Sequence, residues 1–425
     1  MPALRRMPRL AALLLVVVVT ACAARPGPGP AADAITQQRP SLLLVSLDGV
    51  SPAMLRRGDT PHLDRMAAEG VLAGGMNPAY PTLTFPNHYS IVTGLRPDRH
   101  GIVHNTMRDP AIGEFSLRDR AAVATSAWWE GAEPLWVTAE RAGIATAVTS
   151  WPGSEAPIQG IQPTRWSVFD YGVSIEARVD RVDGWLAEAD ATRPGLATLY
   201  FEHVDLAAHR HGPNSDQARD AMRRVDAALG ELFARLQARG QLDAVNIVVV
   251  SDHGLVEVLP GQHLATEAMV DPAIAEPVGD GAVLGFEPRP GREAEAASAL
   301  LGTHRTHACW RRQDIPAHWH FGSHPRVPPI FCQMHPGWVA VPAARLAHAQ
   351  ANVRGAHGYA QEDAPGVQAI FIARGPAFRH GTTLPAFDNV DLYPILADLI
   401  GVTPQPSDAR PARVHGALRA PPGHD

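Results

Sequence analysis

The sequence contains no lysine, so all 37 of its basic residues are arginine. Schiff-base catalysis and the phosphate-binding loop of P-loop nucleotide hydrolases both require a lysine amine, so both mechanisms are excluded. Basic charge is not in excess either, because 43 acidic residues leave a formal net charge of -6. We therefore expect no non-specific binding to a nucleic-acid polymer, which depends on a basic surface.

Cysteine is also scarce, with three residues in a chain of 425. Cys309 and Cys332 lack the C-x-x-C spacing of many zinc sites, so in an exported protein this isolated pair predicts a disulfide. A metal site is the alternative. The third cysteine, Cys22, lies in an N-terminal segment that has the features of an export signal.

Arginines near the N-terminus precede an apolar run at 10–19, which is shorter than the ~20 residues that span a bilayer. Small residues then lead to Cys22 in a pattern that resembles the lipobox of bacterial lipoproteins. We expect residues 1–21 to be a lipoprotein-type signal peptide and Cys22 to be lipidated; ordinary cleavage near Ala21 or Ala24 is the alternative. The expected location is the periplasm or the outer membrane, with the lipid anchor as the only membrane contact.

Short apolar runs that end in polar residues predict buried parallel strands. They occupy 41–47, 196–201, 246–250 and 367–373. A helix is predicted over 215–239, where apolar residues recur at spacings of three and four and Gly240 follows. Alternating strands and helices of this kind predict an α/β fold with a doubly wound, mostly parallel sheet flanked by helices.

The composition divides the chain into segments. Residues 22–40, rich in Ala, Pro and Gly, are expected to form a flexible tether. The catalytic domain is predicted over 41–254 and 357–425, with its last helix near 389–400. The Pro-, His- and Gly-rich stretch 255–356 interrupts the strand–helix alternation and is predicted to be an inserted subdomain.

Seven candidate metal ligands or nucleophiles stand at or near strand ends. They are Asp48, Thr84, Asp205, His209, Asp252, His253 and His357. Carboxylates and imidazoles in this combination suit zinc. Asp205 and His209 are four residues apart, so one helical turn would place both on one face. Any one of the seven could instead be a cap or a loop residue, but several together favour a metal centre.

Five motifs together resemble the nucleotide pyrophosphatase/phosphodiesterase family of the alkaline phosphatase superfamily, and bacterial members look most similar. The motifs are Asp48-Gly49, the segments 81–88 and 93–101, Asp252-His253-Gly254 and the segment 355–359. The resemblance extends from about residue 41 to 400 and implies an alkaline phosphatase-like fold.

The resemblance also implies roles for matching positions. Thr84 matches a nucleophile that forms a covalent nucleotidyl-threonine intermediate, and two zinc ions accompany it. One zinc is held by Asp48, Thr84, Asp252 and His253, and the other by Asp205, His209 and His357. Zinc coordination lowers the pKa of a threonine hydroxyl, which is otherwise a poor nucleophile at neutral pH.

Four further positions match substrate contacts of the family. Asn105 matches a donor to a phosphoryl oxygen, Phe85 and Phe169 match an aromatic pair around the nucleobase, and Tyr200 matches the border of the same pocket. His88 and His100 belong to the motifs but are assigned to loop structure.

The predicted function is that of a two-zinc phosphodiesterase or pyrophosphatase that releases nucleoside 5′-monophosphates from nucleotide or dinucleotide substrates. The alternatives are a phosphonate or phosphomonoester hydrolase, a choline-lipid phosphodiesterase, and a non-enzymatic ligand-binding surface lipoprotein. The aromatic residues at positions 85 and 169 favour a nucleobase, and the complete set of seven candidates favours catalysis. The sequence carries no signal for a particular oligomeric state.

Overall fold

A seven-stranded sheet forms the centre of the fold in a computed structural model that describes residues 41–419. In order across the sheet, the strands are Thr382–Leu384, Val71–Ala73, Phe371–Arg374, Asn246–Val250, Leu42–Leu47, Leu196–Phe201 and Thr146–Ala147. The last four of these are mutually parallel. The predicted α/β class with a mostly parallel sheet is therefore confirmed.

The strand predicted at 367–373 differs from the expectation. It spans Phe371–Arg374, and it runs antiparallel to both of its neighbours in the sheet. Residues Pro365–Val367 form a 3-10 turn instead. An apolar run shows that a strand is buried, but its direction depends on where the chain re-enters the sheet, which the run does not encode.

Side chains of the central strand alternate between two hydrophobic cores. All of Leu42–Leu47 is buried, with Leu42 and Leu44 in one core and Leu43 and Val45 in the other. This two-residue alternation follows from strand geometry, and a run that is apolar on both faces requires cover on both sides. The second face is covered by Pro61–Glu69, Ile175–Leu186 and Asp216–Ala238, and the first by Thr84–Thr93, Leu135–Arg141 and Leu392–Ile400.

The helix predicted at 215–239 is confirmed as Asp216–Ala238. Ser215 caps it by accepting a hydrogen bond from the Ala218 N–H group, and Gly240 follows its end with φ +68°. The predicted last helix is confirmed as Leu392–Ile400, preceded by the 3-10 turn Asn389–Asp391.

The remaining elements are shorter and lie around this framework. The other α-helices are Pro52–Leu55, Pro97–His100, Arg120–Val123, His203–His211, Glu293–Leu300, Ala343–Asn352 and Ala412–His415. The other 3-10 turns are Ser126–Trp128, Thr266–Ala268, Arg312–Asp314 and Ala317–Trp319. The short strands outside the two larger sheets are Met76–Asn77, Thr106–Asp109, Gly113–Ser116, Val256–Glu257, His263–Ala265, Val339–Val341, Gly355–Ala356 and Phe387–Asp388.

The segment between Gly254 and His357 contains a second, antiparallel sheet. Its strands, in order, are Ala275–Val278, Val283–Pro288, Ile330–Met334, His307–Arg311 and Gly302–Thr303. Cys309 and Cys332 face each other across two of these strands and form a disulfide, as predicted. The division of the chain at residues 255 and 356 stays a prediction, because the core of this sheet also includes Tyr359 and Val367.

Val256–Glu257 pairs in antiparallel fashion with Gly355–Ala356, so the two ends of this segment are joined to each other.

Within residues 41–419, no helix has both the length and the apolar character needed to cross a membrane. The predicted signal peptide, the lipidation of Cys22 and the tether at 22–40 lie outside the described residues.

Candidate metal centre and active site

Three carboxylates meet at one edge of the central sheet. Asp48 and Asp252 follow two neighbouring parallel strands, and Asp205 lies in the helix that begins just after a third. Parallel strands bring their carboxyl ends to the same edge. Gly49 has φ +77°, and a Cβ atom there would lie 2.9 Å from Asp205 Cα, so glycine allows the segments to approach.

The helix His203–His211 places Asp205 and His209 on one face, as their spacing predicts. His209 Nε2 lies 3.4 Å from Asp205 Oδ1. Asp252 and His253 are fully buried beside them, so the irregular backbone after the strand directs both side chains inward.

The three candidate imidazoles share one hydrogen-bonding arrangement, in which Nδ1–H donates to a backbone carbonyl. The carbonyls are those of Gly355 for His209 (2.8 Å), Gly254 for His253 (3.2 Å) and Thr82 for His357 (2.8 Å). A carbonyl can only accept, so Nδ1 carries the proton and Nε2 keeps its lone pair. This is the arrangement that orients histidine as a metal ligand.

Within this cluster, three buried carboxylate oxygens have no hydrogen-bond partner in residues 41–419. They are Oδ1 of Asp48, Oδ1 of Asp205 and Oδ2 of Asp252. Burying an ionised oxygen without a partner is unfavourable. Cations held between these oxygens and the histidine lone pairs would satisfy both groups, so the residues fit metal ions.

The electrostatics of the carboxylates agree with this. Burial raises the pKa of the Asp48 carboxyl well above its usual range, and the charges of Asp252 and Asp205 raise it further. Burial likewise raises the pKa of Asp205. Burial also acts to raise the pKa of Asp252, but the neighbouring His253 and His88 imidazoles outweigh it and hold this pKa well below its usual range. A bound cation would stabilise all three ionised forms.

Two groups of buried ligand atoms lie close enough to hold a metal ion, with their atoms within 4.8 Å of one another. One group is Asp205, His253 and His357, and the other is Asp48, His88 and Asp252. His253 also contacts the second group, because its Nε2 lies 2.9 Å from Asp252 Oδ2 and 3.7 Å from Asp48 Oδ1. The candidates assigned to two zinc ions therefore form one continuous cluster.

Thr84 lies at this cluster, with its Oγ1 3.2 Å from His253 Nε2. Thr84 is the first residue of the helix Thr84–Thr93. The amino-terminal end of a helix favours negative charge, both on a nearby oxygen and on a bound phosphate. The position therefore suits a nucleophile that attacks a phosphate ester.

Asn105 is fixed beside Thr84 by one hydrogen bond. Its Oδ1 accepts from the Phe85 N–H group at 3.0 Å. A backbone N–H can only donate, so the amide orientation is set and the Nδ2 hydrogens are available as donors. This orientation matches the predicted role toward a phosphoryl oxygen.

The two candidate base-binding phenylalanines have separate supports. Phe85 is partly buried and packs on Phe115 and Trp129, with ring centroids 5.9 and 6.0 Å away. Phe169 is also partly buried, and the guanidinium carbon of Arg178 lies 5.8 Å from its ring centroid. Each ring keeps part of its surface exposed, as a stacking surface must.

Phe169 is held to the body of the protein by its backbone, because its N–H donates to Glu155 Oε1 at 3.0 Å. Tyr200 lies beside Phe169, with ring centroids 6.0 Å apart. The Tyr200 hydroxyl, however, donates to Asp48 Oδ2 at 2.6 Å. The hydroxyl therefore orients a candidate metal ligand, and only the ring is left to border a substrate pocket.

The structure corrects the assignment of His88 and His100 to loops. His88 lies within the helix Thr84–Thr93, four residues after Thr84, and His100 ends the helix Pro97–His100. His88 follows Thr84 by four residues, and this spacing places the two residues on one face only if a helix starts at Thr84.

Thr82 was also missed, and it connects the two segments that carry Thr84 and His357. Its hydroxyl donates to the Tyr359 carbonyl at 2.9 Å and accepts from the Gly358 N–H at 2.9 Å, while its own carbonyl accepts from His357. The sequence indicated a role for Thr82 only through its position within the motif 81–88.

Comparison with known proteins identifies relatives over most of the chain. Residues 42–360 match the family described as type I phosphodiesterase / nucleotide pyrophosphatase. An uncharacterized pyrophosphatase/phosphodiesterase of Schizosaccharomyces pombe is 32% identical over 87% of this chain and 78% of its own length. The bis(5'-adenosyl)-triphosphatase of Xenopus laevis is 30% identical over 88% of this chain and 81% of its own.

Solved structures show the same likeness. The structure of murine ectonucleotide pyrophosphatase/phosphodiesterase 5 has a TM-score of 0.84 at 31% identity, over 89% of this chain and 100% of the murine chain. That structure is of an inactive variant in which a threonine is replaced by alanine, in complex with AMP.

Proposed function

The chain belongs to the type I phosphodiesterase / nucleotide pyrophosphatase family and has its alkaline phosphatase-like fold, and from this premise we propose that it hydrolyses nucleotide phosphodiester and pyrophosphate bonds to release nucleoside 5′-monophosphates. The observation that carries the proposal is the cluster of three buried carboxylates and three oriented histidines beside Thr84. A non-enzymatic surface protein would have no reason to keep unpaired buried charge next to a hydroxyl group.

We assign two zinc ions to this cluster. The first would be held by Asp48, Thr84, Asp252 and His253, and the second by Asp205, His209 and His357. Nitrogen and oxygen donors of this kind suit zinc. Bound zinc would supply Lewis acidity, lowering the pKa of a coordinated hydroxyl and stabilising the charge that develops on phosphate oxygens.

Thr84 is the proposed nucleophile. Its Oγ1 forms a bond to phosphorus as the bond from phosphorus to the leaving oxygen breaks, and the hydroxyl proton passes to solvent. Water then hydrolyses the nucleotidyl-threonine, which restores the hydroxyl and releases the monophosphate. Asn105 donates from Nδ2 to a phosphoryl oxygen, and the helix amino-terminus favours the same negative charge.

The relatives support nucleotides as the substrate class. The Xenopus relative is named for action on a bis(5'-adenosyl) triphosphate, and the murine structure holds AMP. In the same murine protein, replacement of one threonine by alanine gives an inactive form. These observations support both the nucleobase slot and a catalytic threonine in this chain.

The aromatic rings at positions 85 and 169 would stack on the nucleobase, which selects nucleoside diesters over plain alkyl diesters. Base–aromatic stacking contributes ~1–3 kcal/mol and depends little on base identity. Broad tolerance of bases is therefore expected.

We also propose that the protein is exported and anchored by a lipid at Cys22. The disulfide between Cys309 and Cys332 supports an oxidising compartment outside the cytosol. Mass spectrometry of the membrane-extracted N-terminal peptide tests the anchor, and a peptide that starts at another residue without lipid would contradict it.

Paired nitrophenyl esters test the proposed activity. We expect the nitrophenyl ester of thymidine 5′-monophosphate to be cleaved far better than nitrophenyl phosphate, methyl nitrophenyl phosphate or nitrophenyl phosphorylcholine. A preference for the monoester would indicate a phosphomonoesterase, and a preference for the choline ester would indicate a choline-lipid phosphodiesterase.

A further inference from the structure

His88 makes contacts that its place in the sequence does not suggest. Its ring is fully buried in the helix Thr84–Thr93. Its Nδ1 donates to the Thr84 carbonyl at 2.9 Å and lies 3.4 Å from Asp252 Oδ2. One nitrogen thus contacts both the nucleophile's own backbone and a proposed metal ligand.

The other ring nitrogen faces a different element. Nε2 of His88 accepts from the Ser46 hydroxyl at 2.8 Å, and Ser46 lies in the strand that ends immediately before Asp48. A single ring therefore contacts the three elements that carry Thr84, Asp48 and Asp252.

Aromatic neighbours hold this ring in place. Trp151 packs against it edge-on, with centroids 5.0 Å apart, and Trp151 Nε1–H donates to the His88 carbonyl at 3.0 Å. Tyr200 packs on it with centroids 5.4 Å apart and donates its hydroxyl to Asp48. Both nitrogens of this buried ring already have protein partners.

We infer that His88 is a positioning residue that fixes the Thr84 hydroxyl relative to the first metal site, and that it is not itself a metal ligand. This inference rests on the proposed metal centre. Loss of the ring nitrogens should allow the helix start and the Asp252 carboxylate to shift relative to each other. Outer contacts of this kind typically change metal affinity or activity about 10–100-fold.

The variants His88→Phe, His88→Asn and Ser46→Ala test it. Phenylalanine keeps the buried ring and removes both nitrogens, asparagine keeps one donor near the Nδ1 position, and Ser46→Ala removes only the contact at Nε2. The matched control is His100→Phe, because His100 is equally buried and its side chain bonds to Ser90 and Ile102, away from the cluster.

Zinc affinity is measured by competition with a chromophoric chelator, alongside kcat and KM for the nucleotide diester in saturating zinc. For His88→Phe we expect two zinc ions at saturation, an affinity for one of them that is weaker by about 10–100-fold, and a similar fall in kcat with little change in KM. His88→Asn should recover part of both losses. Ser46→Ala should show the same pattern more weakly, and it decides the question if His88→Phe does not fold.

Unchanged zinc affinity and kcat in His88→Phe would overturn the inference. So would one zinc ion per chain at saturation, which would make His88 a ligand, or an equal loss in His100→Phe, which would reduce the effect to general packing. If wild-type protein bound two zinc ions but cleaved no diester, the proposed function would fail. The zinc affinities of the wild type and His88→Phe would still test the inference about His88.

Discussion

The imidazole rings of His253 and His357 are stacked, with centroids 3.5 Å apart and planes 17° from parallel. Each ring is fixed by a hydrogen bond from Nδ1 to a backbone carbonyl. The two carbonyls belong to Gly254 and Thr82, so segments that are distant in sequence position the two rings. Burial lowers the pKa of His357 well below its usual range, and the neighbouring imidazoles of His253 and His209 lower it further. The stack therefore keeps the His357 lone pair available beside Asp205.

His357→Ala should remove one of the two expected zinc ions. The loss opens one face of the stack and leaves Asp205 with His209 and His253 as its remaining histidine neighbours. Metal content per chain, measured by mass spectrometry after dialysis, should fall from about two to about one. His318→Ala is the control, because His318 is 69% exposed and pairs with Glu362. Two ions in His357→Ala, or full activity after exhaustive chelation, would contradict the assignment.

Thr84→Ala should lower turnover by several orders of magnitude, since it removes the attacking oxygen. Zinc should stay largely bound, because the carboxylates and histidines of the cluster remain. The matched variant Thr84→Ser keeps a hydroxyl and should retain measurable activity. Diester turnover and metal content are measured together, and near-normal turnover of the alanine variant would exclude Thr84 as the nucleophile.

Phe169→Ala should raise KM for a nucleotide diester about 10-fold, because stacking on the base contributes ~1–3 kcal/mol. Turnover of methyl nitrophenyl phosphate, which has no base, should hardly change. Trp166→Ala is the control, since Trp166 lies in the same segment and is 42% exposed. Equal losses on both substrates would show that Phe169 supports the fold instead of the base.

Acidification should destabilise the fold through His100. Burial lowers the pKa of His100 to about 3, and its Nδ1 accepts from the Ile102 N–H, so protonation would break that bond. An unfolded histidine has a pKa of about 6.5, so between about pH 6.5 and about pH 3 the unfolded state binds a proton that the folded state does not. Stability is therefore complete above this window and falls as the pH decreases through it.

The measurement is the melting temperature between pH 7.5 and 4.5. His100→Asn lacks the titrating ring, so its melting temperature should start lower but fall less steeply than that of the wild type. His380→Asn, at an exposed position, should leave the slope unchanged. Parallel curves for wild type and His100→Asn would show that other groups cause the pH dependence.

Much of the candidate metal centre could be predicted from the sequence because its candidate ligands follow strands that are apolar on both faces. Asp48 and Asp252 are adjacent to such strands, and parallel pairing brings those ends together without further information. The pairing of Asp205 with His209 followed from helical spacing alone.

The features that were missed depend on contacts between distant segments. The antiparallel direction of Phe371–Arg374 follows from the route of the chain through the preceding segment, and the contact between His88 and Ser46 requires the helix to lie against the central strand. The helix that starts at Thr84 was also not predicted, although proline, which the motif contains twice, is compatible with the first turn of a helix.

The short pairing of Val256–Glu257 with Gly355–Ala356 closes the chain just beyond His253 and just before His357. Both candidate ligands therefore lie next to a pairing between the two ends of the intervening segment. A change of length in an exposed loop away from this pairing should therefore leave both candidate ligands in place, because surface loops accept insertions. The two ends of this long segment thus act as one fixed point beside the candidate metal centre.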